Sequence, residues 1–519
     1  MSTLLLLAAL LAGVIGLHPL ADLVRVPPQV LLTIYGLLLA VPSWAPTLQL
    51  DPHLILPVVL PPLLFAATQR TSGREFRDRA VPVLTLAVGL TVATAGLVAV
   101  AAHLLGLDWA AAWILGAVVS PPDPVTATSV ARQLRLPQRL VTVLEGEGLF
   151  NDAAAIVLYA TAVAAASGNT FTWSGSTVRL VLAVVVGTGL GIASGVLVRL
   201  ALRWLHHAAP ETTLTVVTPF AAYLGAEHLH GSGVLAVVAL GLTLRSHRRT
   251  RITAEGWLLG RAVWQYIDFL ISSLVFALLG YQFTSVLSQR TPGTRVLLLA
   301  GVVIAVVILF RPAWMFPSAR LGRVVERRED PTSRSWRDSA VVSWAGMRGV
   351  VTVATALALP LTTETGDPFP SRNDIVVVAF LCVLTTLVVQ GLSLPLLVRR
   401  LGVRASGSAL AEVNALRHRA ADAALNRLRR DVEDGVPDPV RRAAIQQYEG
   451  FIAAREAVAE VHAEEDEKQM TEQLQTLLNR GLEAEREFVH RARMAGEVST
   501  EAADEVLSDI EARAVRDFG

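Results

Sequence analysis

The 519-residue chain is 53% hydrophobic and only 17% charged, with a formal net charge of +1. That is too little charge for an ordinary soluble protein of this length, and the near-neutral balance argues against a nucleic-acid partner. Cys382 is the only cysteine, so no internal disulfide can form.

A helix needs about 20 apolar residues to cross ~30 Å of hydrocarbon. Thirteen runs approach or meet that length: residues 2–20, 27–45, 53–68, 80–104, 109–131, 140–165, 178–202, 212–229, 231–247, 260–284, 294–313, 338–360 and 374–398. The runs at 53–68 and 231–247 are short. The N-terminus has no basic segment, so the first run is expected to span rather than to be a cleaved signal peptide. Arginines collect in the loops after odd-numbered runs: Arg70, Arg74, Arg77 and Arg79; Arg132, Arg135 and Arg139; Arg245, Arg248, Arg249 and Arg251. Positive charge marks the cytoplasmic side. The N-terminus is therefore expected outside and the C-terminus inside, in a cell membrane crossed many times.

After Arg400 the composition turns to Ala, Leu, Glu and Arg at helical spacing. Residues 1–400 thus read as a transmembrane domain and 401–519 as a cytoplasmic helical domain. Breaks are expected at 435–439 and 496–500, with Ser499 or Thr500 as an N-cap. The acidic run Glu464–Glu467 reads as a solvated face, because it lacks the alternating ligand spacing of a calcium loop. A regulatory role for this domain stays open.

The sixth run carries the chemistry. It reads L-E-G-E-G-L-F-N-D-A over 144–153. Glu147 and Asn151 are i,i+4 neighbours, as are Gly148 and Asp152, so one polar face runs along an oily helix. A carboxylate within a bilayer must be paired, hydrated or functional. Counting from the span ends at 1.5 Å per residue puts Asp152 roughly 18 Å deep, Asp123 roughly 21 Å and Arg348 roughly 14 Å. Three helices thus place ionisable groups near one level, where mutual pairing lowers the cost of each.

In the fifth run, Ser120-Pro121-Pro122-Asp123-Pro124 cannot continue a helix unbroken. Broken backbone at membrane depth is tolerated where it lines a cavity, and its half-helix ends can hold ions. In the twelfth run Gly346, Gly349, Thr352 and Thr355 are compatible with a second break. Each polar group also has a structural reading. Asp123 can cap a half-helix, Asn151 can bond a neighbouring helix, and Glu147 with Arg348 is expected to form a structural ion pair. Asp152 is then the carboxylate without a fixed cation. Asp268, with Arg261 about two turns away, is left open.

These residues resemble the sodium/proton exchanger family of the monovalent cation:proton antiporters, in its bacterial branch. The resemblance covers roughly residues 5–402 and rests on L-P-P-L-L-F-A-A (60–67), S-P-P-D-P-V-T-A-T-S-V (120–130), L-E-G-E-G-L-F-N-D-A (144–153), S-G-V-L-A-V-V (232–238), W-A-G-M-R-G-V-V (344–351) and V-V-Q-G-L-S-L-P (388–395). It implies an all-α polytopic membrane protein: thirteen transmembrane helices with inverted repeats and broken helices crossing at the midplane, usually a homodimer, with one domain moving against another.

The resemblance further implies that Asp152 binds cation or proton and that Asp123 helps form the site, with Pro122 and Gly148 beside it. Asn151 would stabilise the Glu147–Arg348 pair, and Thr126 and Thr352 are supporting candidates. An Asn-Asp pair in place of Asp-Asp implies one cation per proton. Two positions depart from the pattern. Gly148 stands where many relatives have Ser, and Ala66 where some have Glu, which puts Na⁺ over K⁺ preference in question.

The function expected is secondary antiport without cofactor or enzymatic activity: Na⁺ or Li⁺, with K⁺ as an alternative, exchanged for H⁺, serving pH and sodium homeostasis. A non-coupled channel or a sensor on the same scaffold is the other alternative. An intramembrane aspartyl protease would need Tyr-Asp and Gly-x-Gly-Asp arrangements, which the sequence lacks.

Overall fold

A computed structural model describes residues 3–24, 26–42, 51–70, 73–123, 127–128, 130–131, 134, 136–166, 173–246, 253–289, 293–325, 336–363, 367–403, 419, 421–429, 438–459, 464–495, 502, 506–507 and 510. The first unit, Met1–Arg404, is helical. Its elements are α1 (Thr3–Val24), α2 (Pro28–Leu39), α3 (Pro52–Arg70), α4 (Gly73–Leu104), α5 (Trp109–Val119), α6 (Gln138–Ala166), α7 (Trp173–Ala201), α8 (Ala208–His228), α9 (Gly233–Ser246), α10 (Ala254–Gln289), α11 (Thr294–Val325), α12 (Trp336–Trp344), α13 (Val350–Leu357) and α14 (Arg372–Leu401). Among the described residues, six stretches are long and apolar enough to cross a membrane: Ala87–Leu104, Gly146–Ala166, Val181–Ala201, Glu255–Thr284, Thr294–Pro317 and Arg372–Leu401. The short third and ninth runs of the sequence both form helices, Pro52–Arg70 and Gly233–Ser246.

Two runs do not form single helices. The fifth is helical to Val119 and stops at the proline cluster, and Ala127, Thr128, Val130 and Ala131 are helical again beyond it. The twelfth forms α12, then a non-helical stretch over Gly346–Gly349, then α13. The physical causes differ. Proline removes amide donors and clashes with the preceding turn. In the twelfth run, two glycines make room for what presses against the chain there, as the site geometry shows.

Apolar side chains inside the unit gather in clusters. One joins Ala127, Val130, Leu140, Leu144, Val350 and Val353 to Val275 and Phe276 of α10. Another joins Leu60, Leu64, Phe65 and Ala66 of α3 to Ala153 and Ile156 of α6 and to Trp264. α10 also crosses α2 with almost no gap. A Cβ at Gly36 would collide with the Ala277 carbonyl, and one at Gly280 with that of Thr33. Small residues at a crossing let two backbones approach closely.

The second unit, Ala405–Gly519, contains α15 (Asp438–Ala459) and α16 (Glu464–Met494). The expected caps Ser499 and Thr500 lie outside the described residues.

Candidate functional site: two broken helices and a carboxylate

The two breaks meet. Asp123 N–H donates to the Met347 carbonyl over 2.6 Å, so the extended stretches pair through backbone. Gly349 faces Asp123 so closely that a Cβ would overlap its carboxylate. Gly349 has φ −154 and ψ −137, so the requirement for glycine here is space rather than a left-handed backbone. Asp123 and Pro122 are both buried.

Arg348 is 2% exposed. Its Nε donates to Val119 O at 2.7 Å and its Nη2 to Ser120 O at 3.1 Å, while Nη1 donates to Gly346 O. Its backbone N–H is held by Thr386 Oγ1 at 3.0 Å. Val119 ends α5, so the Val119 and Ser120 oxygens are orphan carbonyls of a helix C-terminus, where the macrodipole also favours a cation. The expected Glu147–Arg348 ion pair is therefore corrected: the donors of Arg348 go to backbone carbonyls. It holds the broken end of α5 in place.

The partner of Glu147 is Arg311 of α11. Nη1 reaches Oε1 at 2.6 Å and Nη2 reaches Oε2 at 2.9 Å, a bidentate pair with both side chains 4% exposed. Arg311 also donates toward Val342 O, from Nε at 3.4 Å and Nη2 at 3.3 Å. The glycine at 346 leaves space for the Arg311 stem, which a Cβ would strike. Sequence reasoning passed over Arg311 because the apolar run ends at 313. The helix continues to Val325, which puts Arg311 well inside it. The signal available was an arginine within an apolar run, which is costly unless paired.

Asn151 is fully buried beside this pair. Its Nδ2 donates to Glu147 Oε1 at 3.3 Å, and its Oδ1 lies 3.1 Å from the hydroxyl of Thr91 on α4. Thr91 is a second residue that sequence reasoning missed, since a threonine in an apolar helix is usually satisfied by its own backbone.

Asp152 follows Asn151 on α6 and is 8% exposed. Its Oδ1 is buried without a hydrogen-bond partner among the described residues. Asp123 is within electrostatic reach of it. A buried unpaired acceptor costs about 1–3 kcal/mol, more when charged. Gly148, one turn earlier on the same helix, is buried and offers no side-chain oxygen. Thr352 on α13 is 1% exposed, and its Oγ1 also lacks a partner. Thr126 lies outside the described residues.

Asp123, Glu147 and Asp152 bring three carboxylates to this region, and of these Glu147 is paired with the Arg311 guanidinium. No group of three or more metal-ligating His, Cys, Asp or Glu side chains occurs among the described residues. The site instead offers one or two carboxylates, hydroxyls and freed carbonyls, which is chemistry for a hard monovalent ion.

Comparison with known proteins follows the same line. The family profile described as "Sodium/hydrogen exchanger, transmembrane" matches residues 6–400. An uncharacterised Na⁺/H⁺ exchanger of Mycobacterium tuberculosis is 38% identical over 434 residues, covering 82% of this chain and 79% of that one. The Na⁺/H⁺ antiporter ApNhaP of Aphanothece halophytica is 31% identical, covering 75% and 73%. A sodium, potassium, lithium and rubidium/H⁺ antiporter of Bacillus subtilis is 31% identical, covering 67% of this chain and 54% of its own length. Among solved structures, the sodium proton antiporter MjNhaP1 of Methanocaldococcus jannaschii at pH 8 is similar in fold, with a TM-score of 0.58 at 19% identity, over 76% of this chain and 97% of that one.

Proposed function

The chain belongs to the sodium/hydrogen exchanger family, a family of membrane antiporters rather than enzymes, and from that premise we propose that it exchanges one monovalent cation for one proton by competition at Asp152. The observation that carries the reading is the buried, unpartnered Asp152 Oδ1 one helical turn from a fully saturated Glu147. Cation and proton exclude each other at one carboxylate. If the loaded forms move the site across and the empty anion does not, exchange is obligatory. The empty form is the costly one to carry through low dielectric, because it leaves a charge uncompensated.

In this reading Asp123, Pro122 and Gly148 frame the site, Thr126 and Thr352 support it, and Asn151 braces the Glu147–Arg311 pair. Arg348 fixes the break of α5. Asn151 in place of a second carboxylate supports a one-for-one, electroneutral exchange. Thirteen spans with inverted repeats, an outer N-terminus, a cytoplasmic second unit, a homodimer in the cell membrane and a role in pH and sodium homeostasis complete the proposal. Na⁺ and Li⁺ are the first substrates. The breadth in the name of the Bacillus subtilis relative supports testing K⁺ beside them.

The test is purified full-length protein in liposomes with a trapped pH dye and a panel of Na⁺, Li⁺ and K⁺. The expected result is cation-driven proton movement whose equilibrium is unmoved by an imposed membrane potential. Current without coupling would make the protein a channel, and little flux with any cation would make it a sensor.

A further inference from the structure

Among the described residues, several buried hydroxyls bond to their own helix. Thr91, Thr94, Ser343, Thr355 and Thr386 each reach the carbonyl four residues back, at 2.6–2.8 Å. That is the ordinary fate of Ser and Thr inside an apolar helix. Among the described residues, the buried hydroxyls without a partner are those of Ser272, Thr352 and Thr212. Thr212 sits against Gly260 on α10, twelve residues (about 18 Å) from Ser272 at 1.5 Å per residue. Ser272 and Thr352 belong together, for the following reasons.

Ser272 lies on a stripe of α10 that reads Trp264, Asp268, Ser272, Phe276, Leu279 and Phe283, spaced by three or four residues. Its apolar ends are engaged on both sides of Ser272. Trp264 packs in the cluster that holds Ala153, next to Asp152, and Val351, next to Thr352. Phe276 packs in the cluster that holds Ala127, Val350 and Val353. Leu279 and Phe283 line one small cavity with Val353, Ala356 and Leu357 of α13, so this stripe of α10 packs against α13. Asp268 and Ser272 are each 7% exposed and occupy the polar interval between the two clusters. Thr352 lies between Val351 of the first cluster and Val353 of the second, and Asp152 adjoins Ala153 of the first.

We propose that the Ser272 hydroxyl of α10 is a neutral oxygen ligand of the transported cation, acting with Thr352 beside the Asp152 carboxylate. This rests on the reading of Asp152 given above. It explains how a site with Gly148 and Ala66, neither of which offers a side-chain oxygen, still surrounds a hard cation with oxygens. It also places a ligand on α10, outside the two broken helices and α6, so cation binding draws these elements together.

The experiment measures Na⁺-driven proton movement in liposomes for the full-length chain over a range of Na⁺ concentrations, with thermal melting of the same preparations. For Ser272→Ala the apparent KM for Na⁺ is expected to rise about three- to tenfold, the worth of one neutral oxygen contact. Maximal rate and melting temperature stay near those of the parent protein, and Ser272→Thr, which keeps the hydroxyl, restores the KM. An unchanged KM in Ser272→Ala would overturn the proposal, as would a fall in melting temperature and maximal rate with KM unmoved. Exchange that survived Asp152→Asn would instead sink the underlying assignment of Asp152, whatever Ser272 did.

Discussion

Glu147 and Asp152 stand little more than one turn apart on α6, and they have opposite fates. Glu147 takes a bidentate arginine and an asparagine amide. Asp152 keeps a buried oxygen with no partner among the described residues. Both carboxylates carry the desolvation cost of the same apolar surroundings, and only the first is compensated within the fold. Satisfaction separates the two roles: a saturated charge holds helices in register, and an unsatisfied one invites an ion. Sequence depth alone could not divide them, because five residues of helix separate them by only about 7.5 Å along the axis.

The sharpest way to break the contrast is to strip Glu147 of its partner. Arg311→Ala is expected to destabilise the protein by about 3–5 kcal/mol, because it strands a buried carboxylate. Thermal melting in detergent would register this as a large drop, and transport should fail with it. Stability unchanged within error would mean that the pair carries no structural burden. Replacing both partners, Arg311→Met with Glu147→Met, is expected to recover most of that loss, since removing a buried pair together is often nearly neutral. A double variant as unstable as the single one would show that Arg311 acts through something other than Glu147.

A smaller effect is expected at the α5 break. Arg348→Lys keeps the charge but loses the planar fork that reaches Val119, Ser120 and Gly346 carbonyls together. A loss of about 2 kcal/mol in stability is expected, with weakened exchange. If lysine served equally well, charge rather than fork geometry would be what the half-helix end needs. The smallest effect is expected at Thr91→Val, which removes one neutral bond to Asn151 and should cost about 1 kcal/mol, with the pH profile of exchange unmoved. A displaced pH profile there would draw Asn151 and Thr91 into the exchange chemistry itself.

Much of this was legible in the residues. Proline at 121, 122 and 124 forbids a continuous helix by covalent geometry, and the polar face of α6 follows from i,i+4 spacing. Both signals are local, and both appear in the structure. The glycines at 346 and 349 were a weaker signal, because their reason lies in what faces them: the Arg311 stem and the Asp123 carboxylate. The partner of Glu147 was not legible. Two buried arginines were available, and choosing between them requires knowing that Arg348 sits over the carbonyl end of α5 while Arg311 enters from the middle of α11. Ser272 was invisible for a related reason: a serine in an apolar helix looks satisfied until its hydroxyl is found without a carbonyl.

The most direct measurement compares the parent chain with Asp152→Asn, reconstituted side by side, each checked for melting temperature before proton movement is driven by a Na⁺ gradient. Asparagine keeps the shape of the side chain and removes its charge. The expected result is a folded variant with no cation-driven proton movement. A folded variant that still exchanged Na⁺ for protons would contradict the central claim, and the ion would have to be carried by another group.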